Sequence, residues 1–197
     1  MNDYAVYMAY MKECAAEAAR VARGVRRENL DDPTPCAEFD LRTLVNHWVL
    51  YTAYGLEHRA LRKPLPDTLT ERDFTADEAW AEQYAAQLDR AVTAWADPAV
   101  WEGDIDLGFA SAPARDVGLM VTKEMAVHGW DVAKATGQEF GVSEEAGEFL
   151  LGVVEEFAEM YRQYDGFGDP VSVDASAPAF QRALALSGRD PHWTRPA

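Results

Sequence analysis

Residues 113–137 read PARDVGLMVTKEMAVHGWDVAKATG, and this stretch decides the fold class. Pro113 suits the first turn of a helix, where the amide it lacks would have no intrahelical partner. Gly137 suits the stop, because glycine enters the left-handed conformation without strain. Arg115 to Thr136 is therefore expected as one continuous helix. Outward from it, the chain continues in helical patterns on both sides.

Upstream, Tyr4, Met8, Met11, Ala15, Ala18, Ala22 and Val25 recur at three- and four-residue steps. That spacing predicts an amphipathic helix from about Asp3 to Arg27. Asp31-Asp32-Pro33-Thr34-Pro35 breaks it, because proline lacks an amide donor and disfavours helix at the residue before it. Asp40 is a good N-cap for a second helix through Leu44, His47, Trp48, Tyr51 and Tyr54 to about Lys63, where Pro64 and Pro66 end it. Thr75-Ala76-Asp77-Glu78 has the spacing of a capping box, so a third helix is expected from there to about Trp95. Trp101 to Phe109 alternates and carries glycines, a pattern of an extended or hairpin-like excursion. Downstream, Ser143 caps a helix to about Tyr161 with Phe149, Val153, Phe157 and Met160 as its apolar stripe. A short helix from about Pro178 to Leu186 ends at Gly188, and Arg189-Asp190-Pro191-His192-Trp193 forms a tail.

No repeat and no alternation of strands with helices is present, so a Rossmann-type sheet is excluded. The expected architecture is all-α: one domain over residues 1–197, four long helices in a bundle, short extra helices and a small hairpin. A chain of 197 residues fits one hydrophobic core. Its net charge of −16 repels phosphates and anionic lipid headgroups, which argues against nucleic-acid and membrane partners. The first residues, MNDYAVYMAYMKE, lack the basic region and cleavage site of a signal peptide, so a cytoplasmic location is expected. Cys14 and Cys36 form no C-x-x-C pair; Cys36 reads as a small buried side chain beneath a turn rather than a reactive thiol.

Four histidines limit where metal or acid-base chemistry can lie: His47, His58, His128 and His192. Glu124 and His128 stand one helical turn apart, so both can reach one ion. His47, among Leu44, Trp48 and Tyr51, faces the interior of another helix and can supply a third ligand. Three nitrogen and oxygen donors with open positions make the usual catalytic zinc site. The same residues also fit a polar pair on a solvated face and a core histidine bonded to a carbonyl. His58 lies too far along its helix to share the ion and reads as a helix-end histidine. His192 falls in the tail. Asp131 shares the face of Glu124 and His128, as an acceptor behind the ligand histidine, a general base, an extra ligand or a charge near a helix end. Trp48, Tyr51, Tyr54 and Trp130 line a pocket or fill the core.

The segments from Thr34 to His47 and from Glu124 to Asp131, with Leu186-Ser187-Gly188-Arg189-Asp190-Pro191, resemble a family of small actinobacterial-type metal-binding proteins. That family is related to the N-terminal domain of mycothiol-dependent maleylpyruvate isomerase and, more distantly, to the DinB/YfiT-like four-helix bundles. The resemblance implies a divalent metal, zinc by preference, on His47, Glu124 and His128, with mycothiol as a thiol co-substrate. The relatives' isomerase carries a further C-terminal domain, which this chain does not match, and a tryptophan frequent in the loop before the ligand histidine is Phe39 here. The function this implies is a transferase or isomerase dependent on mycothiol or another low-molecular-weight thiol. A zinc-dependent hydrolase and a metal-binding protein without catalysis are the alternatives. The expected partner is a small-molecule substrate or thiol, and the chain is a monomer or a homodimer.

Overall fold

A computed structural model describes residues 4–108 and 110–195. Helix α1 (Tyr4–Arg23) buries Met8, Met11, Ala15, Ala18 and Ala22, as its spacing requires. The expected start at Asp3 lies outside the described residues. The helix stops short of Arg27, and Arg27–Asn29 forms a separate 3-10 turn. Helix α2 (Leu41–Val49) begins where Asp40 Oδ1 accepts from the Thr43 amide at 2.8 Å.

Helix α2 does not run on as one regular helix. Leu50–Tyr54 forms a π-helical turn before α3 (Gly55–Ala60) continues the rod. Thr52 Oγ1 donates to Trp48 O at 2.7 Å and Arg59 Nη1 to Tyr51 O at 3.3 Å, so these acceptors keep partners. His58 Nδ1 lies 2.8 Å from Pro64 O at the end of α3, the helix-end position expected of it.

A single helical turn, α4 (Asp67–Thr70), leads to α5 (Trp80–Trp95). The expected capping box does not form. Thr75 is buried in a 3-10 turn, where its hydroxyl donates to Asp73 Oδ1 at 2.6 Å and receives Arg42 Nη1 at 3.1 Å. Its oxygen is committed to α2. Asp77 takes over, accepting from the Ala79 amide at 2.8 Å and from Gln83 Nε2 at 2.7 Å, so the helix starts later.

Strands β1 (Asp104–Asp106) and β2 (Ser111–Pro113) pair antiparallel, with Ile105 opposite Ala112. This is the expected hairpin; Phe109, where the expected excursion ends in the sequence, lies outside the described residues. Pro113 ends β2 and hands the chain to α6 (Ala114–Ala135). Gly137 follows at φ +69°, and the Gln138 amide donates to Ala133 O at 2.8 Å, closing the helix. Around the core α1 packs on α5, α5 on α3, α2 on α6, and α6 back on α1, which closes a four-helix bundle.

Helix α7 (Glu144–Gln163) lies outside that ring, with Ser143 Oγ accepting from the Ala146 amide at 3.2 Å. Its buried face differs from the expected stripe. Leu150, Leu151, Val154 and Ala158 are buried with Val153, while Met160 is exposed. The reason is a second neighbour: Leu151, Val154 and Ala158 pack with Ala179 and Ala183 of α8 (Ala179–Leu186). Among the described residues no helix is long and apolar enough to cross a membrane.

Candidate metal centre

A buried hydrogen bond helps to set α2 against α6. Trp48 Nε1 donates to Met125 O at 3.1 Å, which a carbonyl with a second lone pair accepts without losing its helical bond. Trp48 and Met125 immediately follow His47 and Glu124, so this bond sets their relative height. His47, Glu124 and His128 offer donor atoms that all lie within 4.8 Å of one another. His128 Nε2 stands 3.1 Å from Glu124 Oε2. The rings of His47 and His128 meet edge to face with centroids 5.1 Å apart. Two imidazole nitrogens and one carboxylate oxygen match the chemistry of a zinc-type donor set, which leaves coordination positions for water or a further ligand.

Helix α2 presents His47 among rings. Phe39 lies 5.4 Å away and Tyr51 4.7 Å, centroid to centroid. Burial, and then the neighbouring His128 charge, push its pKa down to about 4, so the ring is neutral and ready to donate a lone pair near pH 7.

Helix α6 surrounds His128 with charges. Its Nδ1 lies 3.0 Å from Asp131 Oδ2, on the side opposite Glu124. Asp131 is fully buried and receives Arg189 Nη2 at 3.2 Å. Burial disfavours charge on His128, but the bonds to Asp131 and Glu124 outweigh it and raise its pKa. Burial pushes Glu124 up as well, yet the Lys123 ammonium and the His128 ring hold its carboxyl well below the usual carboxylate range. Asp131 behaves likewise: Arg189 and His128 overcome its burial and lower its pKa.

Two of these groups were not predicted from sequence. Lys123 is almost fully buried, bonded to Glu124 and lying 3.6 Å from the Tyr161 ring centroid and 4.8 Å from that of Phe167. The sequence places Arg189 in a tail. It is instead buried beneath α6, while His192, three residues on, is exposed as expected. Of the four aromatic residues, Trp48 and Trp130 are core, Tyr51 flanks His47, and Tyr54 stacks on Phe74 with centroids 5.2 Å apart.

Cys36, His128 and Asp131 form a second group whose donor atoms lie within 4.8 Å of one another. It suits a cation less well than the first. Asp131 already carries the guanidinium of Arg189, and burial pushes the Cys36 thiol up to about 11, which keeps it protonated. The loop that carries Cys36 is tightly folded: Thr34 Oγ1 accepts from the Cys36 amide at 3.1 Å and donates to Phe39 O at 2.8 Å.

The model of the family described as mycothiol maleylpyruvate isomerase N-terminal domain matches residues 11–133. The chain belongs to this family. The match runs from α1 to within two residues of the end of α6, and it contains His47, Glu124, His128 and Asp131. It bears out the resemblance carried by the Thr34–His47 and Glu124–Asp131 segments, and with it a DinB-like helical bundle. The mycothiol maleylpyruvate isomerase N-terminal domain thus accounts for the four-helix ring, whereas α7, α8 and Arg189 lie beyond the matched residues. Comparison with curated proteins and with solved structures gave no match.

Proposed function

We propose that His47, Glu124 and His128 hold a divalent cation, zinc by the nature of the donors, and that the site serves a thiol-dependent transferase or isomerase, with mycothiol as the thiol. The observation that carries this reading is the convergence of the three donors within 4.8 Å, inside a chain of the mycothiol maleylpyruvate isomerase N-terminal domain family.

Charge balance favours a thiol over a neutral ligand. Lys123 is paired with Glu124 and Arg189 with Asp131, so the two acids are already neutralised. A divalent ion then adds two positive charges to a partly buried site. An anionic ligand offsets them, and the ion, when bound, supplies the Lewis acidity that keeps a sulfur donor in its nucleophilic thiolate form. His47 and Glu124 orient that position, and Tyr51 and Phe39 flank it with apolar surface. Asp131 is committed to His128 and Arg189, which argues against the general base that hydrolysis would call for. Neither Cys36 nor Cys14 supplies the nucleophile, since burial raises both thiols.

The test is titration of the cobalt-loaded protein with mycothiol, followed by its visible spectrum. Saturable binding with a sulfur-to-cobalt charge-transfer band supports the reading. No band at millimolar mycothiol, with metal still bound, contradicts it and turns the assignment towards hydrolysis or a structural ion.

A further inference from the structure

The family match ends at residue 133, yet the guanidinium of Arg189 lies against Asp131, with Nη2 3.2 Å from Oδ2 and Nε 3.5 Å from Oδ1. Asp131 Oδ2 faces His128 Nδ1 at 3.0 Å. We infer that Arg189 is a positioning residue of the metal centre: by pinning the Asp131 carboxylate it keeps the proton of neutral His128 on Nδ1 and aims Nε2 at the ion. The inference rests on His128 being a ligand, and it makes the chain beyond the matched domain part of the site.

Asp131 alone would hold His128 loosely. It sits only three residues along the same helix, and a carboxylate there can rotate about its side-chain torsions. Arg189 removes that freedom because it is itself held at both ends. Its amide donates to Leu184 O at 2.9 Å, and its Nη1 donates to Ser187 O at 3.1 Å. The turn that delivers it is equally fixed. Gly188 has φ +87°, and a Cβ there would lie 2.8 Å from the Cα of Gly168 in the loop after α7. The crossing of these two loops is what directs Arg189 under α6. Partners behind a ligand histidine fix its tautomer and ring orientation, and their loss weakens metal binding by about ten- to a hundredfold.

The experiment uses the full chain as wild type, Arg189→Met, Arg189→Lys, Asp131→Asn, and Asp131→Asn combined with each Arg189 variant. Three readouts are taken: thermal unfolding, the Co2+ dissociation constant by chelator competition, and 15N NMR of the metal-free His128 ring at a pH where it is neutral. Arg189→Met is expected to weaken Co2+ binding about tenfold or more and to shift the ring nitrogens away from the Nδ1–H pattern. Arg189→Lys, which keeps the charge without the fork, falls between. In the Asp131→Asn background neither Arg189 variant adds to the loss, because Arg189 acts through Asp131.

Wild-type affinity in Arg189→Met, or an equal further loss in the Asp131→Asn background, overturns the inference. Should Arg189→Met fail to fold, the same cycle with Arg189→Lys decides. Should the wild type bind no Co2+, the metal reading fails, and the tautomer decides alone: an unchanged His128 pattern in Arg189→Lys overturns the positioning role.

Discussion

His47 and His128 stand ring to ring, but α2 holds one by packing and α6 holds the other by charge. His47 lies between Phe39 and Tyr51, and burial pushes its pKa down to about 4. His128 has Glu124 on one ring nitrogen and Asp131 on the other, and its pKa is raised despite burial. One imidazole is therefore neutral near pH 7, while the other keeps its proton to a higher pH than a free imidazole does. The two halves of the site therefore fail in different ways. The α2 half depends on apolar neighbours, and the α6 half depends on a chain of ion pairs that reaches Arg189, in the turn after α8.

Lys123→Met attacks the charged half. It leaves the Glu124 carboxylate partly buried without its ammonium, and breaking such a pair costs about 3 kcal/mol or more. The metal-free protein should lose that stability in chemical denaturation. The metal-loaded protein should lose far less, because the cation replaces the ammonium as partner. Equal losses in both states would show that Glu124 does not face the ion.

Gly188→Ala attacks the same half from a distance. A methyl group at φ +87°, 2.8 Å from the backbone of Gly168, is expected to cost about 2 to 3 kcal/mol. Metal affinity should fall with it, as Arg189 loses its place, and unfolding curves with and without metal check both effects.

His47→Phe attacks the apolar half, and its effect depends on pH. In the unfolded chain the ring takes a proton near 6.5, whereas in the fold it does so only near 4. A depressed histidine pKa means that the unfolded state binds the proton first, so wild-type stability falls as pH drops from 6.5 to about 4. The metal-free variant lacks this loss. Across that window it should gain on the wild type, by an amount on the order of 2 to 3 kcal/mol. A constant difference would mean that His47 is not desolvated. His128 has the opposite sign: its raised pKa stabilises the metal-free fold at low pH, and this contribution is lost as pH rises through that pKa. Metal affinity should accordingly increase with pH until the His128 proton has gone.

Cys36→Ala gives the smallest effect. If the ion sits on His47, Glu124 and His128, removing the thiol changes stability by about 1 kcal/mol and leaves metal content unchanged. Loss of metal would move the centre to the Cys36, His128 and Asp131 group.

The contrast also explains what could be read from the chain. Helix positions followed from Asp40, Pro113, Gly137 and Ser143, whose backbone roles are local and need no knowledge of neighbours. Glu124 and His128 were legible because one helical turn brings them together whatever the tertiary fold. Their convergence with His47 was visible through the family motifs rather than through spacing. Thr75 misled because its hydroxyl, free to cap in an isolated segment, is taken by Asp73 and Arg42. The α7 stripe was misjudged because α8 adds a second apolar neighbour. Lys123 gave no local signal, and Arg189 gave only its place in the Leu186–Pro191 segment, which says nothing of burial: lysine and arginine are rarely buried, and only the aromatic enclosure of Tyr161 and Phe167 and the loop crossing at Gly188 make them so.

The most direct test of the account is elemental analysis of the protein purified without chelators, beside His47→Ala and His128→Ala. The account predicts close to one divalent ion per chain in the wild type and its loss from both variants, although the two histidines sit on different helices. Wild-type protein without metal, or undiminished metal in either variant, would contradict it.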